Sequence, residues 1–124
     1  STLPALTRAA KIQKRAANAG FDWPEIDGVV AKVEEEVEEV RAEIDSGDHA
    51  RLFDEVGDLL FVSVNLARFA KIDPEAALRH ANRKFESRFR HMEARLTGEG
   101  QPLDDFTLDE MEAAWQQAKR DAKP

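Results

Sequence analysis

The chain contains no cysteine. Neither a disulfide nor a thiolate metal site is therefore possible, which fits a reducing compartment and makes the cytoplasm the expected location. Long apolar runs are missing too. The most hydrophobic stretch, Leu59 to Ala70, is broken by Ser63, Asn65 and Arg68, and is too short and too polar to span a bilayer. No basic segment followed by an apolar one opens the chain, so no secretory leader is expected. Ser1 stands where methionine would, which suggests processing or a piece cut from a longer protein. A surplus of positive charge is the third absence. Eighteen Lys and Arg face 25 Asp and Glu, for a net charge of −7. That argues against a broad nucleic-acid surface, because phosphate backbones need a basic footprint. A phosphate-bearing ligand remains compatible if metal cations offset the charge locally.

At 124 residues the chain has the size of one ordinary domain, residues 1–124, and no composition shift, repeat or low-complexity segment divides it. A chain of this length buries roughly two-thirds of its unfolded surface, enough for one core without staples. The pattern predicts an all-α bundle of about five helices. The first runs from Leu3 to Ala19 and stops at Gly20; Phe21-Asp22-Trp23-Pro24 is a turn, because proline disfavours helical geometry in the residue before it. The second runs from about Asp27 or Gly28 to Ile44. Asp48 caps the third, which reaches about Lys71. Asp73-Pro74 opens the fourth, to about Leu96, with proline at the first helical position. Thr107 with Glu110 forms a capping box for the last, to about Lys119.

Apolar spacing supports this layout: Val30, Val33, Val37, Val40 and Ile44 recur at three and four, as do Ala81, Phe85, Phe89, Met92 and Leu96. The third helix is apolar around most of its circumference. Such a helix is central in its domain or is covered by a second subunit, and in a domain this small the second option is strong.

Six glutamates crowd the second helix: Glu34, Glu35, Glu36, Glu38, Glu39 and Glu43. A charge run of this kind is usually a solvated face. At 100° per residue, however, Glu36, Glu39 and Glu43 lie along one edge of the valine stripe, with Lys32 one turn before Glu36. Glu34 and Glu38 flank the other edge, and Glu35 points further out. On the third helix Asp54, Glu55 and Asp58 share a sector that Val62 and Phe69 occupy further on, so that sector is half buried. Buried like charges need a counter-charge. A favourable helix N-terminus accounts for Asp54 and Glu55 better than for Asp58. Gly57, mid-helix among them, suggests close approach by another backbone or a ligand, since glycine there costs about 1 kcal/mol relative to alanine.

Two antiparallel helices joined by a short turn would bring Glu36 and Glu39 opposite Glu55 and Asp58. Four carboxylates without histidine or thiol suit Mg²⁺ or Mn²⁺ rather than zinc. A ferritin-like di-iron site is disfavoured because none of His49, His80 and His91 stands three after a glutamate. On the fourth helix Lys84 and Arg88, four apart with Asn82 nearby, are either cations snorkelling over the core or, beside a metal site, a clamp for phosphate oxygens.

The stretches Lys32 to Val40, Asp54 to Phe61 and Asn82 to Phe89, preceded by Lys14 to Pro24, resemble the signature segments of MazG pyrophosphohydrolases. The resemblance covers nearly the whole chain and is greatest to the C-terminal catalytic half of two-domain MazG proteins. It implies an α-helical homodimer that converts a nucleoside triphosphate and water to nucleoside monophosphate and pyrophosphate with Mg²⁺. Glu36, Glu39, Glu55 and Asp58 would ligate the metal; Lys32, Lys84 and Arg88 would contact the triphosphate. Trp115 matches an aromatic placed near the nucleotide in such proteins, or else closes the last helix as a core residue. Glu35 or Glu39 is the general base. A relative narrowed to dUTP or dCTP, and a helical module that binds nucleotide without turnover, stay open on sequence alone.

Overall fold

The computed structural model describes residues 3–122, and every regular element among them is helical. The helices are α1 (Ala5–Asn18), α2 (Ile26–Ser46), α3 (His49–Phe69), α4 (Pro74–Thr97) and α5 (Leu108–Asp121), with a 3₁₀ turn at Leu103–Asp105 before α5. Both expected caps are made. The Asp48 carboxylate accepts from the Arg51 N–H at 3.1 Å. The Thr107 hydroxyl accepts from the Glu110 N–H at 3.1 Å, while the Glu110 carboxylate accepts from the Thr107 N–H at 2.9 Å. Helix ends depart from the expected ones by one or two residues. The departure at the end of α3 has a clear cause. Lys71 takes φ 62°, its N–H meets the Arg68 carbonyl and the Ile72 N–H meets that of Ala67, closing the helix in a Schellman turn. A left-handed residue cannot extend a helix, so α3 ends at Phe69 although the sequence pattern runs on.

The described residues form two compact units, one up to Ala77 and one from Leu78 onward. The division falls inside α4, a continuous helix with none of the Gly, Pro or polar signals of a linker, so composition gave no sign of it. In the first unit α3 packs mainly against α2 and also against α1. Only Gly47 and Asp48 separate α2 from α3, and Gly47 reverses the chain in the left-handed conformation, φ 76°. Val29, Val62 and Val64 are buried there; Met92, Ala114 and Ala118 are buried in the second unit. No helix among the described residues is long and apolar enough to cross a membrane. The close approach expected at Gly57 is not made within the chain, since a Cβ added there would meet nothing within 4 Å.

Lys71 is the one described non-glycine residue at positive φ. Replacing it with glycine removes the Cβ penalty of that conformation, so Lys71→Gly is expected to raise the unfolding free energy by about 1 kcal/mol. Chemical denaturation of the two proteins side by side checks this.

Candidate functional site

Helix α2 sorts its acids by angle. Glu36 is only 5% exposed and Glu39 and Glu43 are half-buried, whereas Glu34, Glu35 and Glu38 are exposed. The solvated-face reading therefore holds for the outer three and fails for Glu36. From α3, Glu55 meets Glu36 and Glu39, with one carboxylate oxygen of each lying within 4.8 Å of the others. A second group with the same spacing joins Asp54, Glu55 and Asp58. Glu55 is the residue common to both. Of the four acids expected to converge, three do so directly and Asp58 joins through Glu55. Asp54 is an addition that the paired spacing had not selected.

The cluster is electrostatically strained. Hydrogen bonding to Glu39, then burial, then the charges of Glu39, Glu36 and Asp58 push the Glu55 carboxyl up to about 7, from an ordinary 4.5. Asp58 is also raised, first by burial and then by the charges of Asp54 and Glu36, with Lys32 opposing. One oxygen each of Glu36 and Glu55 is buried without any hydrogen-bond partner. Orphaned carboxylate oxygens facing like charge fit a hard divalent cation, which takes oxygen ligands. Within the chain the counter-charge is Lys32, whose ammonium lies 3.2 Å from Glu35 and 3.3 Å from Glu36. Its pKa is raised, chiefly by the bond to Glu35 and then by that to Glu36.

A cavity of about 720 Å³ opens beside this cluster within the first unit. Lys32, Glu36 and Asp58 line one part of it, and the α1–α2 turn another. That turn is anchored: the Arg68 guanidinium donates to both oxygens of Asp22, at 2.7 and 3.1 Å, and holds the Asp22 carboxyl below its usual range. Trp23 lies against Gly28, where an added Cβ would come within 3.2 Å of the indole. A close approach is thus made at Gly28 and not at Gly57.

Asn82, Lys84, Arg88 and Trp115 belong to the second unit. Asn82 and Lys84 are exposed on α4; Arg88 is half-buried, with its Nε buried and unpartnered. The Trp115 ring lies 5.1 Å from that of Phe85 at 45°, an edge-tilted packing contact.

The shifted Glu55 sets a pH dependence. A group whose folded pKa exceeds its unfolded value stabilises fully below the unfolded value and loses that contribution as pH rises through the folded one. In chelator, melting temperature is therefore expected to fall from about pH 5 to about pH 8 more steeply in the parent than in Glu55→Gln, and added Mg²⁺ should offset the fall only in the parent. Parallel melting curves for the two proteins would remove Glu55 from the cluster.

Comparison with known proteins bears on the same residues. A protein from Escherichia coli K12 named nucleoside triphosphate pyrophosphohydrolase is 50% identical over 121 residues, which is 96% of this chain and 46% of that protein. A Thermotoga maritima protein named nucleoside triphosphate pyrophosphohydrolase/pyrophosphatase MazG is 43% identical over 117 residues, 94% of this chain and 45% of its own. The Bacillus subtilis protein YabN, described as uncharacterized, is 46% identical over 119 residues, 95% of this chain and 24% of its own. The chain thus spans less than half the length of these curated relatives. The family profile described as the MazG nucleotide pyrophosphohydrolase domain matches residues 25–93, a span that holds α2, α3 and every carboxylate of the cluster. The chain belongs to the MazG nucleotide pyrophosphohydrolase domain family.

Proposed function

We propose that the domain hydrolyses nucleoside triphosphates to nucleoside monophosphate and pyrophosphate by water attack at the α-phosphorus, as a Mg²⁺-dependent cytoplasmic homodimer. The observation that carries this reading is the meeting of Glu36, Glu39 and Glu55 beside Lys32, with Asp58 joined through Glu55. Held by Glu36, Glu39, Glu55 and Asp58, Mg²⁺ or Mn²⁺ would supply Lewis acidity toward phosphate oxygens and acidify a water molecule. The remaining tasks fall to the chain. Lys32 places a fixed positive charge at the edge of the acidic group, where a phosphate oxygen can displace part of its contact with Glu35. Glu35, exposed and free of the cluster once Lys32 turns to phosphate, is one acceptor for the proton of the attacking water. Glu39, which meets Glu36 and Glu55 in the cluster, is the other. Lys84, Arg88 and Asn82, as triphosphate contacts, and Trp115, as an aromatic for the nucleotide, are carried in this reading by the family resemblance alone. The names of the relatives support the reaction class.

Purified protein with Mg²⁺ is expected to release monophosphate and pyrophosphate from several nucleoside triphosphates, resolved by chromatography. Glu36→Gln and Asp58→Asn should each lower kcat/KM by about a hundredfold or more, an effect of the size seen when one electrostatic contact to a developing charge is lost. Folded protein that yields neither product from any nucleotide would exclude the reaction.

The homodimer rests on α3. Its carboxylates face α2, and Phe53, Val56 and Leu60 lie on the opposite side, with Phe53 77% and Leu60 56% exposed. Gly57 shares that side and is open. Among the described residues of the first unit the buried hydrophobics are three valines, a small core that leaves this apolar stripe unspent. A second copy offering the same stripe is the simplest occupant, since an isologous contact needs only one self-complementary surface. Sedimentation should give two chains per particle, and Leu60→Glu, which places a charge at the centre of the stripe, should give one. A parent protein that sediments as a single chain at high concentration would rule the dimer out.

A further inference from the structure

Side chains tie α5 to α4 at two levels. The Trp115 ring meets that of Phe85, and further along both helices His91 meets Asp121. Both ties advance toward the C-terminus on each helix, so α4 and α5 run in the same direction there. Asp121 is the last residue of α5 and stands beside the last two turns of α4. A helix ends in partial negative charge, so an aspartate is the wrong sign for that position. It is disfavoured there unless a cation stands next to it.

Two cations on α4 do so among the described residues, and they differ in kind. Arg95 is permanently charged, but its Nη1 stays 3.7 Å from Asp121 Oδ2, too far for a hydrogen bond. His91 is titratable, and its Nε2 lies 2.9 Å from the same oxygen. The other carboxylate oxygen accepts from Gln117 Nε2 at 2.7 Å. Arg120 turns to the Gln117 amide oxygen instead, at 2.6 and 3.2 Å. His91 first, then Gln117, hold the Asp121 carboxyl below its ordinary 3.8. On its own helix His91 has Arg88 and Arg95 a turn to either side, whose like charge opposes a proton on the ring. From α5 it faces Asp121, with Gln117 and Arg120 behind. A permanent ion pair would need only Arg95 to close the remaining distance; the bond goes to the histidine.

We propose that His91 and Asp121 form a pH-sensitive clasp on the last turn of α5, an ion pair in mild acid that relaxes to a neutral hydrogen bond above neutrality. The pair needs both groups ionised. An aspartate held low is ionised above about pH 4, and an imidazole ordinarily carries its second proton below about pH 6.5. The depressed carboxyl contributes stability that is lost as pH falls through its folded value. The histidine's half is lost as pH rises past the ordinary imidazole range. The clasp is therefore strongest between these limits. A neutral ring with its proton on Nε2 still donates to Asp121, so α5 is loosened rather than released. His91 and Asp121 are 50% and 38% exposed, which keeps the amplitude modest, because water and salt screen the pair.

Amide hydrogen exchange in the whole chain tests this and does not depend on turnover. Protection factors divide out the intrinsic pH dependence of exchange. They are measured by ¹H–¹⁵N NMR at about pH 5 and about pH 7.5 in the parent, His91→Gln and Asp121→Asn. Glutamine keeps a neutral donor and so holds the relaxed state at every pH. Between the two pH values the amides of residues 117–121 are expected to lose about two- to fivefold more protection in the parent than in His91→Gln, the range for ion pairs of this exposure. Referring the parent to the variant cancels the pH dependence that Glu55 gives both. Asp121→Asn should match His91→Gln, and salt at about 1 M should erase the parent's excess. An equal change in parent and His91→Gln would overturn the clasp. So would amides of that turn left unprotected at both pH values, or an excess that survives in Asp121→Asn, since the histidine would then act on another group.

Discussion

Repulsion among carboxylates at the α2–α3 contact is the constraint on which the rest of the first unit depends. Glu36, Glu39 and Glu55 bring three oxygens within 4.8 Å of one another, and two buried oxygens of the set have no partner. The packing of α3 on α2 holds them there, and each helix contributes a buried valine to the unit, Val29 and Val62. The helices therefore hold a site that neither helix would favour alone, which is the usual relation between a rigid scaffold and a functional cluster. Without a cation, part of the charge is removed by protonation. The raised carboxyl of Glu55 is the sign of it, and Lys32 offsets another part.

Most of this was legible in the sequence because it follows from period. A wheel angle assigned Glu36 to the buried edge and Glu35 to water, and the structure agrees for both. Caps were legible for a related reason: Asp48 and Thr107 act through backbone groups only three residues away, so no tertiary knowledge is needed. The end of α3 was not, because Lys71 takes a left-handed φ that its side chain disfavours and that only the surrounding turn imposes. Gly57 was misread for a comparable reason. A mid-helix glycine says that space was left, but not whether that space is filled from within the chain.

The cavity residues were hidden differently. Asn65 and Arg68 were visible as breaks in the apolar run of α3, and their only use at that level was to exclude a membrane span. Their role depends on partners 46 residues away for Arg68 and Asp22, and on the α1 residue Gln13 bonding to Phe61 48 residues on. No local period encodes such pairs. A polar residue on the buried side of a helix is nonetheless a signal, since burying an amide without a partner is unfavourable by a few kcal/mol. The same reasoning that singled out Asp58 would have singled out Asn65, two turns on in the same sector of the helix.

The first unit's cavity is lined by groups that act over different ranges. The carboxylate end acts through charge, which is strong and long-ranged. The amide end, Gln13 and Asn65, acts through hydrogen bonds of fixed direction, which are short-ranged. Arg68 makes the second end as rigid as the first: a bidentate pair to Asp22, a bond to Asn65 and stacking 4.9 Å over Phe69 leave its guanidinium little freedom. Its own Nε stays buried without a partner, which is the polarity left over when one planar group is asked to orient two walls. A lysine there could supply the charge but not the fork, and the turn carrying Trp23 would lose its fixed relation to Asn65.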